Sequence, residues 1–165
     1  MLISSSMNAA INEQVGREFG ASLQYVAIAA HFDSESLPEL AAHFYKQAEE
    51  EREHAMKFVK YVVEAGGQAQ IPAIAAPQGA FKSAEEAVAL SLRGEETVTK
   101  QINALVDLAV TESDHLTRQF LQWFVSEQLE EVSSMSTLLR TVRRAGESGL
   151  LQIEDYLART SGDEE

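Results

Sequence analysis

Apolar side chains recur every three or four positions along most of the chain. Ile11, Val15, Phe19, Leu23, Val26 and Ala30 mark one face of a first segment, from about residue 8 to 32. That spacing is the signature of an amphipathic helix. The pattern stops at Asp33-Ser34-Glu35-Ser36. Pro38 then suits the first turn of a second helix, where the N–H that proline lacks is not needed. The second helix is predicted over about 37–65, with Leu40, Phe44, Tyr45, Ala48, Ala55, Phe58, Val59 and Val62 as its stripe. Gly66-Gly67 ends it, because glycine tolerates a left-handed cap.

Residues 66 to 83 break the rhythm. GGQAQIPAIAAPQGAFKS holds most of the loop-forming residues of the chain and has no helical period. The flanking segments are too small to be separate domains, so this stretch reads as a long crossover between two antiparallel helix pairs. A third helix is predicted from Ser83, a suitable N-cap with Glu86 three residues on, to about Val110. Its stripe is Val88, Leu92, Val98, Ile102, Leu105 and Leu108. Thr111-Glu112-Ser113-Asp114 makes a short polar break before a fourth helix over about 115–145. Gly146 and Gly149 bracket a turn, a short fifth helix spans about 150–158, and the tail over 161–165 is expected to fray. The expected architecture is all-α: one domain over residues 1–165, a four-helix bundle with a long crossover between helices two and three and a short fifth C-terminal helix.

Composition agrees with this picture, and charge sharpens it. A chain of 165 residues that is 45% apolar suits a single core. Acids outnumber bases 26 to 13, for a net charge of -13. No basic patch survives that balance, which argues against a nucleic-acid partner and favours contact with cations. A solvated acidic surface would give the same total, so the placement of the acids decides. There is no cysteine, which excludes disulfides, zinc ribbons, thiolate-held clusters and thiol nucleophiles. No stretch is long and apolar enough to span a membrane. The opening MLISSSMNAAINEQ lacks the basic and apolar regions of a secretory signal, so the cytoplasm is the expected location.

The informative acids are those that fall on buried stripes. In the first helix Glu18 lies four residues from Gln14 and seven from Tyr25, on one face. In the second, Glu49-Glu50-Glu51-Arg52-Glu53-His54 places Glu51 and His54 at i and i+3, about 60° apart around the helix. A carboxylate and an imidazole so spaced can point at one metal ion, although a surface ion pair has the same spacing. Their neighbours Phe44, Ala48, Ala55 and Phe58 turn that side toward the core. Glu95 sits on the buried stripe of the third helix, three after Leu92 and seven before Ile102. In the fourth, Glu127, Glu130 and Glu131 share a side, with Gln128 about 60° from Glu131. Each long helix thus brings a carboxylate to the core near its middle. Unpaired buried carboxylates are expensive, and a shared cation resolves the cost. Oxygen ligands with a single histidine suit iron or manganese better than zinc or copper. Facing glutamates with Glu-x-x-His pairs are the ligand pattern of di-metal carboxylate bundles.

Asn12-Glu13-Gln14, Glu18, Ala21-Ser22, Tyr25, Glu50-Glu51-Arg52-Glu53-His54-Ala55, Glu95 and Glu127-Gln128-x-Glu130-Glu131 together resemble the ferritin signature. The match covers nearly the whole chain, crossover and short last helix included. Tyr25-Val26-Ala27-Ile28-Ala29, Phe32-Asp33-Ser34-Glu35 and Gln122-Trp123-Phe124 are similar to bacterial non-haem ferritins of the actinobacterial type. The resemblance implies a ferroxidase centre in which Glu18, Glu51 and His54 hold one iron. Glu51 bridges to a second iron also held by Glu95, with Gln128 beside it as a hydrogen-bonding residue. It implies a third iron site at Glu50, Glu127, Glu130 and Glu131, and Tyr25 as an electron or hydrogen-bond donor. Trp123 is either a neighbour of the centre in that role or simply core, with core the preferred reading.

It further implies oxidation of ferrous iron by dioxygen or peroxide, and storage of ferric mineral in a 24-subunit cage. Haem is not expected. Bacterioferritins carry a haem-ligand methionine directly after the bridging glutamate, where this chain has Arg52, and a second Glu-x-x-His, where this chain has Glu130. Met56 and Met135 are expected as core or boundary fillers. The acidic threefold pore of animal ferritins is not reproduced, since the matching positions are Arg118 and Leu121. His31, His43 and His115 are expected as surface or boundary residues. Two rival readings use the same residues: a di-iron or di-manganese oxidase acting on an organic substrate or peroxide, and a metal-free helical assembly protein.

Overall fold

The computed structural model describes residues 1–161. Four long helices, α1 (Ser5–Ser34), α2 (Pro38–Glu64), α3 (Ala84–Thr111) and α4 (His115–Ala145), are followed by a 3-10 turn (Glu147–Gly149) and α5 (Leu150–Ser161). There is no strand among the described residues. Every expected element is present, with ends shifted by three residues or fewer. The rest of the tail expected to fray, 162–165, lies outside the described residues.

The helices start where the chain supplies acceptors for their first free N–H groups. Ser4 Oγ accepts from Met7 N at 2.9 Å, Ser83 Oγ from Glu86 N at 3.0 Å, and Asp114 Oδ1 from Thr117 N at 2.9 Å. Glu86 completes its cap one residue early, accepting from Lys82 N at 2.6 Å. α2 has Leu37 at its N-cap and no capping side chain of its own. Its cap comes from α5: Glu154 accepts from Glu39 N at 2.7 Å and Leu40 N at 2.9 Å. The short last helix is therefore tied to the start of α2 by a carboxylate at a positive helix end. The helix ends use left-handed residues, Ser36 (φ 60), Gly66 (φ 74) and Ser113 (φ 56). Each lets a following N–H reach back five residues, as Leu37 N does to Phe32 O at 3.0 Å.

The core has two apolar clusters. One gathers Phe32, Leu40, Phe44, Val88, Leu139 and Ile153; the other gathers Ile11, Val15, Phe58, Val62, Ile102 and Phe124. α1 and α4 begin in the second cluster, while α2 and α3 begin in the first, so α2 and α3 run parallel. The segment joining them must travel the length of the bundle. It lies along α1, held by amide side chains: Asn12 Oδ1 accepts from Gln70 N at 3.0 Å and Gln24 Oε1 from Gln78 N at 2.9 Å. Gly16 makes the close approach possible, since a Cβ there would stand 2.3 Å from Pro72 Cγ.

The α1 stripe is corrected in its second half. Leu23 (45% exposed), Val26 (42% exposed) and Ala30 face outward, and Ser22, Tyr25, Ile28, Ala29 and Phe32 are buried instead. Residues 26–30 are apolar all round the helix, so periodicity alone does not choose the inner face there. Tyr45 likewise stays exposed on α2.

Candidate metal centre

Between the two apolar clusters each long helix contributes buried polar side chains at one level. They are Gln14, Glu18 and Ser22 from α1, Gln47, Glu51 and His54 from α2, Ser91 and Glu95 from α3, and Gln128 and Glu131 from α4. Glu18 and Glu51 are each 1% exposed and Glu95 is 2% exposed. Among the described residues no arginine or lysine is buried with them. A low-polarity interior with several acids and no cation is unfavourable for the charged forms.

Glu18, Glu51 and His54 can each point one ligand atom to within 4.8 Å of the others. His54 Nδ1 stands 3.4 Å from Glu51 Oε2. Gln14 Nε2 donates to Glu18 Oε1 at 2.7 Å, fixing that carboxylate from behind. Glu18 Oε2 and Glu51 Oε1 are buried and receive no donor. Glu95 is oriented by two partners: the Tyr25 hydroxyl donates to its Oε1, and Gln128 Nε2 donates to its Oε2 at 3.2 Å. Gln128 is steadied in turn, with its Nε2 also 3.2 Å from Thr99 Oγ1.

A second group joins His54, Glu127 and Glu131 within the same limit. His54 Nε2 is 3.9 Å from Glu127 Oε1, so the two ring nitrogens face two different sets of carboxylates. Glu50 is half-buried and accepts from Gln47 Nε2 at 2.8 Å. Glu130 is exposed, and neither group of three includes Glu50, Glu95 or Glu130.

The electrostatics follow from burial. Desolvation holds the Glu18 and Glu51 carboxyls well above the ordinary range, with the charge of Glu51 adding to it for Glu18 and that of Glu95 for Glu51. Burial also raises Glu95, against the bonds from Tyr25 and Gln128, which favour its charged form. Glu131 is pushed up to about 8 by burial and then by Glu95, Glu50 and Glu127. Tyr25 is raised well above its usual value by burial and the charges of Glu95 and Glu51, so its hydroxyl keeps its proton. A divalent cation reverses this cost, because it supplies the missing positive charge to deprotonated oxygens.

Residues 8–145 match the ferritin-like domain family. The chain belongs to the ferritin family. It is 48% identical over 157 residues to ferritin BfrB of Mycolicibacterium smegmatis, covering 95% of this chain and 86% of that protein. It is 35% identical over 166 residues to the bacterial non-heme ferritin of Staphylococcus aureus, covering 99% and 100%. A ferritin of the hyperthermophilic archaeon Archaeoglobus fulgidus, described as having a novel open pore, superposes with a TM-score of 0.92. It is 35% identical, over 94% of this chain and 96% of that one. The ferritin resemblance read from the sequence is therefore correct, and so is the all-helical fold.

Within this ferritin the surroundings of the centre correct one expectation. Trp123 is not core, the preferred reading, but a neighbour of the centre: it is 41% exposed, meets His54 edge-on with ring centroids 5.3 Å apart, and carries Lys57 Nζ 3.3 Å from its ring centroid. Position 123 falls one residue before buried Phe124, on the flank of the α4 stripe, where a large ring covers the imidazole without entering the core. Met135 is buried and Met56 half-buried, as expected. His31 and His43 are half-buried against aromatic rings and His115 is exposed, away from the acids. Gln47 and Thr99 were missed. Each stands four residues from a candidate ligand, Glu51 or Glu95, and that spacing was the available signal.

Proposed function

We propose that this chain forms a single ferritin-like domain that oxidises ferrous iron at the buried centre and stores ferric mineral within a 24-subunit cage of identical chains in the cytoplasm. The observation that carries this reading is the pair of donorless buried oxygens, Glu18 Oε2 and Glu51 Oε1, beside His54 Nδ1. Such oxygens are costly without a cation, and the donor set of carboxylates with one imidazole suits ferrous iron.

In this reading iron is the substrate. Glu18, Glu51 and His54 hold one ferrous ion, and Glu51 and Glu95 hold a second. Gln128 and Tyr25 keep Glu95 oriented by the hydrogen bonds described above. The two ions give up one electron each, and dioxygen takes both with two protons to leave as hydrogen peroxide; peroxide as oxidant takes two electrons and two protons to give water. Carboxylates favour the ferric products because they stabilise the higher charge. Glu127 and Glu131, with the outer nitrogen of His54, form the third site, completed by Glu50 and Glu130, whose charges reach Glu131. Haem has no part in it.

One feature supports assembly. Apolar side chains remain outside on the single chain, among them Leu23 and Val26 on α1, Ile71 (61% exposed) on the crossover and Leu151 (76% exposed) on α5. Side chains of that size left outside are available for burial against another chain. No helix among the described residues is long and apolar enough to cross a membrane.

The test is aerobic addition of ferrous iron in large excess, followed by gel filtration with iron analysis. Iron co-eluting with a very large soluble assembly, far above a few ions per chain, is the expected result. Iron limited to two or three ions per chain, or a small oligomer, would overturn storage and favour a di-metal oxidase.

A further inference from the structure

A groove of about 410 Å³ lies between α1 and α3, open to solvent, and the buried residues Tyr25 and Glu95 belong to its lining. Most of the surface it presents is apolar, with Gly20, Ala21, Leu90, Gly94 and Val98 in its walls, while Gln24, Ser91, Thr97 and Gln101 also line it. Arg17 and Arg93, both exposed, also line it. We propose that this groove is the passage by which dioxygen reaches the carboxylate centre, a proposal that rests on the ferroxidase reading above.

Three observations converge on it. First, Gly94 stands in the interior of α3, directly before Glu95. A mid-helix glycine costs about 1 kcal/mol relative to alanine, so its presence asks for a reason. Packing does not supply one, since a Cβ at Gly94 would meet no atom within 4 Å. Backbone strain does not either, because Gly94 is not among the residues of positive φ. Gly20, on the α1 side of the lining, turns toward the crossover instead: its Cβ would meet Ile74 Cγ2 at an ordinary 3.7 Å. Gly16, one turn earlier, differs, since Pro72 demands it. Gly94 is thus the glycine of this groove that packing does not require, and what it leaves is open space.

Second, the charge at the groove selects against metal. Arg17 and Arg93 repel a ferrous ion, and the only acid in the lining is Glu95. A neutral molecule feels no such barrier. Third, the apolar walls select among oxidants. Dioxygen has no strong hydrogen bonds to lose on leaving water, whereas hydrogen peroxide loses several.

The test is stopped-flow oxidation of the assembled protein, preloaded anaerobically with ferrous iron and mixed with dioxygen over a range of concentrations. Gly94→Leu fills the groove from α3 and Ala21→Leu fills it from α1, so a fault in one helix cannot mimic the result from both. In both variants the rate at low dioxygen should fall by about tenfold, the factor given by ~1.4 kcal/mol of added barrier. The rate extrapolated to saturating dioxygen and the anaerobic ferrous affinity should hold. Gly94→Ala, which adds one methyl group, should slow the reaction less. Variants that assemble and bind iron normally yet show an unaltered dioxygen dependence would overturn the passage and leave the ferroxidase reading standing. Equal slowing with hydrogen peroxide would overturn the choice of dioxygen. Loss of anaerobic ferrous binding from the unaltered protein would overturn the ferroxidase reading instead.

Discussion

Glu51 brings a carboxylate into a site that is 1% exposed, and one of its oxygens finds no donor. Burial and the nearby Glu95 both oppose its charge. The metal-free protein is therefore expected to gain from losing that charge. Glu51→Gln keeps the shape and removes the ionisable group. Its metal-free unfolding midpoint should rise by about 2–4 °C, the shift that 1 kcal/mol gives at this chain length, while ferrous oxidation is largely lost. Calorimetry and ferric absorbance read the two effects separately. A midpoint that falls with the activity would mean that Glu51 serves the fold and not a cation. Gln128 makes the complementary case. It touches Glu95 and Thr99 and lies behind the proposed ligands. Gln128→Leu should weaken anaerobic ferrous binding by roughly 10–100-fold, the usual cost of losing a residue that orients a ligand, with little change in helix content. Unchanged affinity would remove Gln128 from the site.

Among the elements, those that the sequence made legible carry their own stop and start signals. Ser83 with Glu86, Pro38 and Gly66-Gly67 were readable because caps and turns are local. So was the face of α2, where Phe44, Ala48, Ala55 and Phe58 leave no second apolar stripe to choose. The polar face of α1 carrying Gln14, Glu18 and Tyr25 was legible, but its apolar stripe beyond Val15 was not, because Leu23 and Val26 compete with Ile28 and Phe32, and only contact with the other helices decides. Trp123 was misplaced for a related reason: size and hydrophobicity do not reveal that a ring covers a histidine at the edge. The cap on α2 was invisible, since Glu154 is more than a hundred residues away in sequence. That long-range cap is testable. Glu154→Ala should cost about 0.5–2 kcal/mol, the range for a lost N-cap, and speed amide exchange at Glu39 and Leu40 before the rest of α2. Exchange unchanged at those two amides would show that α5 docks by its apolar face alone. The left-handed Ser36 and Ser113 offer the opposite prediction. Ser36→Gly and Ser113→Gly should each raise the midpoint, because glycine takes that conformation without the side-chain penalty of about 1–2 kcal/mol.

On the scale of the whole molecule the buried acids make stability and iron binding respond to pH in opposite directions. Glu131 titrates near 8 in the fold against a usual value of 4.5, and Glu18, Glu51 and Glu95 shift in the same direction. Between those limits the folded chain still holds protons that the unfolded chain has released. Rising pH therefore favours unfolding. The contribution is fully present below about 4.5 and is lost as pH climbs through the folded values. Ferrous iron takes the deprotonated oxygens, so it binds better as pH rises and stabilises the fold most where the metal-free protein is weakest. The expected result is a metal-free midpoint that declines from about pH 5 to pH 8, and an anaerobic ferrous-loaded midpoint that stays level or rises. Surface repulsion from the net charge of -13 would also lower stability with pH. Salt separates the two causes, because at about 0.15 M it screens exposed charges beyond roughly 8 Å but leaves the cost of burying a carboxylate in place. A decline that salt abolishes, with metal-free and loaded curves running parallel, would place the titrating groups on the surface and remove the energetic basis of the centre. A decline that salt spares, and that Glu131→Gln flattens at its upper end, would locate it within the polar layer between the two apolar clusters.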